Sequence, residues 1–175
     1  MLMAMDLSLF DTMDAAELRR YLAFLLWHYR VVDGFWFLYA ADDYSQQEAE
    51  KLNERVWGRV SGLAARDLVS RFAIAEKGLE GFAKVLSLYP WTLLLEYQIE
   101  TSRDEIVLSV PCCATQEARR SRGLPEYECR DMHRGEFEAI AGQVDPRIEV
   151  HCDFAPTGER PAGYDCRWRF RLSAP

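Results

Sequence analysis

The cysteines are the residues of this sequence best suited to chemistry, and all five follow residue 110. Cys113 lies where a predicted strand gives way to a predicted helix, and the free N–H groups of a helix start favour a thiolate. Cys129 lies in the irregular segment after that helix. Cys152 and Cys166 occupy apolar positions of the last two predicted strands, so both thiols should face the protein interior. Thiolates from these four places can bind a tetrahedral zinc ion or hold an iron–sulfur cluster.

A metal centre is therefore one expectation, with Cys113, Cys129, Cys152 and Cys166 as ligands and zinc as the metal, ahead of an iron–sulfur cluster. His133, four residues after Cys129, is an alternate ligand. The competing interpretation treats the thiols as small apolar core residues, because free cysteine is among the most buried residue types. The sequence also has no C-x-x-C pair, which is the specific short-range signature of a metal site.

A second candidate for acid–base chemistry is His28 with Asp33, which lie in an apolar, aromatic-rich stretch. A carboxyl buried there would have a raised pKa and could act as a general base. The alternative is a structural role, in which Asp33 caps a following helix and the hydrogen bonds of His28 are satisfied within the fold.

Aromatic residues predict an apolar pocket for a small molecule, formed where helices face strands. The alternative is that these side chains only pack the core, as apolar stripes at helical spacing usually do. The residues concerned are Trp27, Trp36, Tyr39 and Trp57 on predicted helices, and Trp91, Tyr97 and Trp168 on predicted strands.

The elements that must position these residues follow from a change of hydrophobic period near Pro90. Before it, apolar residues recur with the helical period, and after it they alternate with polar residues. The pair Asp33-Gly34 is expected to break or bend the first helix. The predicted helical segments begin after Asp14, after Gly34, after Ser45 and at Gly78.

Four strands and two short helices are predicted after Pro90, and their grouping in hairpins favours an antiparallel sheet. The predicted strands cover 91–100, 106–110, 147–154 and 165–172, and the helices cover 114–122 and 134–141, closed by Gly123 and Gly142. The sequence thus predicts one α+β domain over 1–175. A helical layer over 1–89 packs on a four-stranded antiparallel sheet with two short helices over 90–175.

Composition limits the partners and the location. The net charge of −7 argues against nucleic acid, which needs a basic surface. The longest apolar stretch, 21–40, contains His28, Arg30 and Asp33, so no membrane span is expected. No basic region accompanies the apolar residues at the start, so we expect no secretion signal and a cytoplasmic protein with reduced thiols.

With these motifs, the sequence resembles a family of small uncharacterised bacterial and archaeal cytosolic proteins that is loosely grouped with L-2-amino-thiazoline-4-carboxylic acid hydrolase. The resemblance implies hydrolysis of a C–N bond of the cyclic amidine or amide type. In that function a metal-bound water or Cys113 would attack the carbon, with Asp33 or His133 moving protons. The matching stretches are Asp33–Phe37, Leu52–Trp57, Cys113 with Gln116 and Arg119, Cys129, Asp145–Ile148 and Cys166–Phe170.

The order of helices followed by ββ-αα-ββ, closing in the stretch Cys166–Phe170, is more distantly similar to the four-vinyl-reductase and haem-nitric-oxide-binding superfamily. That similarity implies a ligand-binding module that forms a homodimer.

Three functions stay open at this point. The first is a small-molecule or metal-binding module with a cysteine cluster on its sheet, the second is the metal- or cysteine-dependent C–N hydrolase, and the third is a structural subunit.

Overall fold

The computed structural model describes residues 5–173, so residues 1–4 and 174–175 of the predicted domain lie outside the described part. Across residues 5–173 the chain forms six α-helices and one four-stranded sheet, in the predicted order, which confirms the α+β class. No helix in this range combines the length and apolar character needed to cross a membrane. The elements are α1 (Ala15–Asp43), α2 (Gln46–Arg71), α3 (Gly78–Leu88), α4 (Pro90–Leu94), β1 (Gln98–Thr101), β2 (Glu105–Val110), α5 (Ala114–Arg120), α6 (Arg130–Val144), β3 (Ile148–Phe154) and β4 (Cys166–Leu172).

Helix α1 begins at a capping box and continues through the predicted break. The Asp14 carboxylate accepts hydrogen bonds from the N–H groups of Ala16 and Glu17 at 2.8 Å, and Glu17 Oε2 accepts the Asp14 N–H at 2.9 Å. The predicted break at Asp33-Gly34 is wrong, because α1 is continuous over its whole length. A glycine inside a helix costs only about 1 kcal/mol relative to alanine. The packing of α1 on α2 offsets that cost.

The first part of the predicted strand 91–100 is also wrong, because it forms the short helix α4. Pro90 takes a first-turn position of α4, where the fixed φ of proline suits a helix start. Trp91 then packs its ring against Tyr29 of α1 and Trp57 of α2, at centroid distances of 5.9 and 5.5 Å. This tertiary packing outweighs the alternating pattern, and β1 begins only after it.

The sheet has the strand order β1-β2-β4-β3, and every neighbouring pair is antiparallel. Cys152 and Cys166 both lie on the inward-facing side of β3 and β4, as the alternation predicts. The register does not place the two thiols opposite each other. Cys152 is opposite Trp168, whereas Cys166 is opposite Val110 of β2.

Helix α6 is longer than the predicted segment 134–141, and Gly142 lies inside it rather than at its end. It packs against α2 on one side and the sheet on the other. Phe137 of α6 contacts Trp168 and Phe170 of β4 at ring-centroid distances of 5.3 and 5.2 Å. The helices therefore cover the sheet mainly through α3 and α6, while α1 and α2 pack outside them.

Candidate functional site

A cavity of about 330 Å³ lies between α1, α2, α4, α5 and the start of α6. This volume is within the range of small-molecule sites. Trp57, Trp91 and Tyr97 form much of its wall, so the predicted aromatic pocket exists in part. The other aromatics of that prediction lie elsewhere. Trp168 is buried in the core, and Trp27, Trp36 and Tyr39 are exposed on α1.

The three residues predicted for catalysis, Asp33, Cys113 and His133, all line this cavity, and so does Cys129. Asp33 lies on α1 and His133 lies on α6. Cys113 directly precedes α5, and Cys129 directly precedes α6. The fold thus brings together side chains that are up to 100 positions apart in the chain. Their role in catalysis stays a prediction.

Cys129, His133 and Glu136 follow the spacing C-x3-H-x2-E along α6. Residues three and four apart are neighbours on a helix surface, so the helix itself aligns the three side chains. His133 Nδ1 lies 2.6 Å from Glu136 Oε2. The Cys129 side chain is also close enough to the imidazole to raise its pKa. A thiol, an imidazole and a carboxylate in series form the set that activates a cysteine nucleophile.

Glu136 is only 2% exposed, and a tyrosine holds its second oxygen. Tyr89 donates its hydroxyl proton to Glu136 Oε1 at 3.0 Å. Ser61 Oγ lies 2.7 Å from the Tyr89 oxygen, and Ser61 is the donor because the Tyr89 proton is already engaged. The buried series Ser61–Tyr89–Glu136 therefore fixes the carboxylate that orients His133.

Two opposing effects set the pKa of His133. Burial lowers it, because desolvation disfavours the imidazolium. The hydrogen bond to Glu136 and the nearby Cys129 side chain together outweigh burial and hold the pKa of His133 well above its usual value. An imidazole with a raised pKa is a stronger base, so His133 is suited to accept the thiol proton of Cys129.

Gln116 of α5 holds the segment that carries Cys129, and its side chain is fully buried. Gln116 Nε2 donates to the Tyr127 carbonyl at 2.8 Å, and its Oε1 accepts the Tyr127 N–H at 3.0 Å. The same Nε2 lies 3.7 Å from Cys129 Sγ. Gln116 is thus a positioning residue that fixes both the loop before α6 and the sulfur.

Asp33 forms another part of the wall, from α1. Its carboxyl accepts a hydrogen bond from the Trp57 side chain. Burial, together with the nearby Glu136 carboxylate, raises the pKa of Asp33 to about 6, against the lowering effect of that hydrogen bond. A carboxyl with this pKa can exchange a proton near neutral pH. His28, its predicted partner, is exposed on α1 and does not line the cavity, so the structure does not bring the two together.

Cys113 caps the start of α5, and its backbone is fixed there. The Cys113 N–H donates to Asp165 Oδ2 at 2.6 Å, and Arg120 contacts the same carboxylate at 3.0 and 3.2 Å. Burial raises the pKa of the Cys113 thiol, although the nearby backbone N–H groups of Gln116 and Thr115 lower it. The expected activation by the helix start is therefore outweighed by desolvation.

Cys152 and Cys166 do not line the cavity. Both pack against the core, and burial raises the pKa of each thiol. Within residues 5–173 no three histidine, cysteine, aspartate or glutamate side chains are arranged to hold a metal ion. The side chains as placed do not fit the predicted centre of Cys113, Cys129, Cys152 and Cys166. The zinc site stays a prediction.

Several residues of the site are not singled out by sequence patterns. Glu136 could have been found, because its spacing from Cys129 and His133 marks one helix face. Tyr89 and Gln116 carry no such signal, since each reaches the site from a different element.

Residues 16–172 match a protein-family model described as a family of unknown function (DUF6125). The match runs from the first turn of α1 to the end of β4, so it includes every residue of the cavity. No curated protein matches the chain. The family description names neither an activity nor a ligand, so both resemblances drawn from the sequence stay expectations.

Proposed function

The chain belongs to this family of unknown function, and we propose that it is a cysteine-dependent hydrolase of a carbon–nitrogen bond in a small, largely apolar molecule. The observation that carries the proposal is the series Cys129–His133–Glu136 at the wall of an aromatic cavity. The nucleophile in this proposal is Cys129 rather than Cys113, because Cys129 has the imidazole beside it.

The proposed reaction begins when the Cys129 thiol passes its proton to His133. The sulfur then attacks the carbon of the C–N bond, which becomes tetrahedral. As the C–N bond breaks, the leaving nitrogen takes the proton from His133. Water that gives a proton to His133 next attacks the carbon–sulfur intermediate. The Cys129 sulfur leaves and regains its proton from His133, which closes the cycle.

Asp33 supports a nitrogen-containing substrate. A carboxyl with a pKa of about 6 is mostly ionised at neutral pH and can accept a hydrogen bond from an N–H group of the substrate. The ionised carboxylates of Asp33 and Glu136 also favour a basic or protonated group, as a cyclic amidine provides. The faces of Trp57 and Trp91 would add cation–π attraction for the same group.

Alkylation of the intact protein by iodoacetamide tests the proposal without a known substrate. Peptide mapping by mass spectrometry gives the rate at each cysteine as a function of pH. We expect Cys129 to be alkylated at neutral pH at a rate that depends on His133, because the imidazole beside it can take up the thiol proton. Cys112, the exposed neighbour of Cys113, serves as the ordinary thiol in the same sample.

Matched variants separate the roles of the residues. His133→Asn should slow Cys129 alkylation at least about tenfold and leave Cys112 unchanged, and Glu136→Gln should act in the same direction. Cys113→Ser should leave the Cys129 rate unaltered. Alkylation of Cys112 ahead of Cys129 at every pH, or equal Cys129 rates in wild type and His133→Asn, would remove the basis for a cysteine enzyme.

A binding module without turnover is the second candidate, and the aromatic wall favours it. Trp57 and Trp91 lie 5.5 Å apart at the cavity, so their fluorescence should report a ligand that enters. Binding of a cyclic amidine that persists in Cys129→Ser, with no product formed by wild type, would favour this function.

The metal prediction has a separate test, because elemental analysis of protein purified without chelator would detect stoichiometric zinc or iron.

A further inference from the structure

Helix α1 exposes an apolar surface that is unusual for a helix in water. None of its 29 residues is buried. Six large apolar side chains fall within about a third of its circumference, and each is between 41% and 73% exposed. We call this set the outer stripe of α1, and it consists of Phe24, Leu25, Val32, Phe35, Trp36 and Tyr39.

The area of the outer stripe matches what a protein partner would cover. At roughly 150–250 Å² for a complete aromatic side chain, the six residues leave on the order of 700 Å² of apolar surface in water. The largest apolar patch of a typical monomer is about 300–600 Å². A standard protein interface buries about 800 Å² on each partner.

Charges on α1 disfavour a lipid surface as the cover. Helices that lie on membranes carry lysine and arginine along their polar face. Here α1 has three arginines and four acidic residues, in a chain of net charge −7, and it ends in Asp42 and Asp43. Anionic headgroups would repel that acidic end.

We propose that a second copy of this chain covers the outer stripe, with the two α1 helices antiparallel about a twofold axis. The stripe is centred near Val32. An antiparallel pair therefore places Arg20 of one copy near Asp43 of the other. A parallel pair would instead bring Asp42 and Asp43 of both copies together. Because the same surface is used by both copies, the contact closes into a dimer.

The proposed interface adjoins the cavity through Phe35, which belongs to the outer stripe and also lines the cavity. Its ring packs on Tyr39 at a centroid distance of 5.7 Å. A second copy would cover both rings and narrow the open side of the cavity. This proposal does not rest on the cysteine chemistry, and each can fail without the other.

Sedimentation equilibrium of the full chain over a micromolar concentration range tests the dimer. We expect wild type to be a dimer. In Val32→Glu the dissociation constant of the dimer should be at least about 100-fold larger, because a buried charge would face an apolar partner. Ala23→Glu is the matched control, since Ala23 is exposed on α1 outside the outer stripe. It should remain dimeric, and circular dichroism should show equal helix content in all three proteins.

Charge reversal tests the antiparallel orientation. Arg20→Asp and Asp43→Arg should each weaken the dimer about tenfold, and the double variant should restore it. If the double variant does not restore the dimer, the antiparallel pairing is excluded. A wild-type monomer, a larger assembly, or a Val32→Glu dimer of unchanged strength overturns the proposal. Binding of a monomeric wild type to phosphatidylserine vesicles would assign the stripe to membranes instead.

Discussion

Replacing Asp33 by asparagine should stabilise the protein at neutral pH while removing a group that the proposed reaction uses. The pKa of Asp33 is about 6 in the folded protein, against 3.8 for an ordinary aspartate. A difference of this size corresponds to roughly 3 kcal/mol of unfolding free energy at neutral pH. Asparagine has nearly the same shape and can still accept the hydrogen bond from Trp57. The variant therefore removes the cost of a buried charge and little else.

The direction of the pH dependence follows from the raised pKa. Below pH 3.8 the carboxyl is mostly protonated in both the folded and the unfolded chain, so it has no differential effect. Between 3.8 and about 6 the unfolded chain loses the proton while the folded protein keeps it, and stability falls as pH rises. Above about 6 the full cost is present.

Urea unfolding followed by circular dichroism measures the effect. Asp33→Asn should be more stable than wild type by roughly 2–3 kcal/mol near pH 7.5, and the gain should fall below about 1 kcal/mol near pH 4. Asp67→Asn is the control, because it loses only an exposed 2.9 Å ion pair with Arg71. Such a pair contributes less than about 1 kcal/mol. A destabilised Asp33→Asn at neutral pH, or a gain that does not change with pH, would refute the desolvation argument.

Further substitutions test the buried network and the helices. Tyr89→Phe should lower the free energy of unfolding by about 1–3 kcal/mol, because Glu136 loses a buried donor, whereas Tyr164→Phe loses only a 3.4 Å contact and should change little. Gly142→Ala should raise the melting temperature by about 2–4 °C, since the added methyl meets open space inside α6. Gly81→Ala should lower it, because its Cβ would collide with a backbone carbonyl oxygen. Unchanged stability of Tyr89→Phe, or a destabilised Gly142→Ala, would contradict these assignments.

The sheet and the elements around it could be predicted because their signals are local. The alternation in β3 and β4 determines which side chains face inward, and Gly123, with φ at +67°, ends α5 as its residue type indicates. Asp33-Gly34 carries an equally local signal, yet α1 continues through it. The difference is tertiary, because Asp33 bonds to Trp57 on the neighbouring helix rather than capping a new one.

The metal prediction shows what strand alternation leaves open. Alternation gives the side of the sheet on which Cys152 and Cys166 lie, but register sets their neighbours. Here Cys152 is opposite Trp168 and Cys166 is opposite Val110, and neither thiol reaches the cavity.

The candidate site could be predicted residue by residue but not as an arrangement. Cys129 and His133 lie on one helix, so their contact follows from spacing alone. Asp33 lines the cavity from α1, whereas Tyr89, which follows α3, contacts Glu136 of the cavity wall, and only the packing of the helices produces these positions. The sequence therefore indicates the chemistry of the site, but it does not reveal the series Ser61–Tyr89–Glu136 that orients His133.

An NMR pH titration of the His133 imidazole, in wild type and in Cys129→Ala, decides whether the thiol and the imidazole act together. His133→Asn assigns the signal among the three histidines. The structure predicts a pKa of His133 well above 6.5 in wild type and a lower one in Cys129→Ala, because the nearby Cys129 side chain raises it. A wild-type pKa of His133 at or below 6.5, or one that Cys129→Ala leaves unchanged, would contradict the proposed pair.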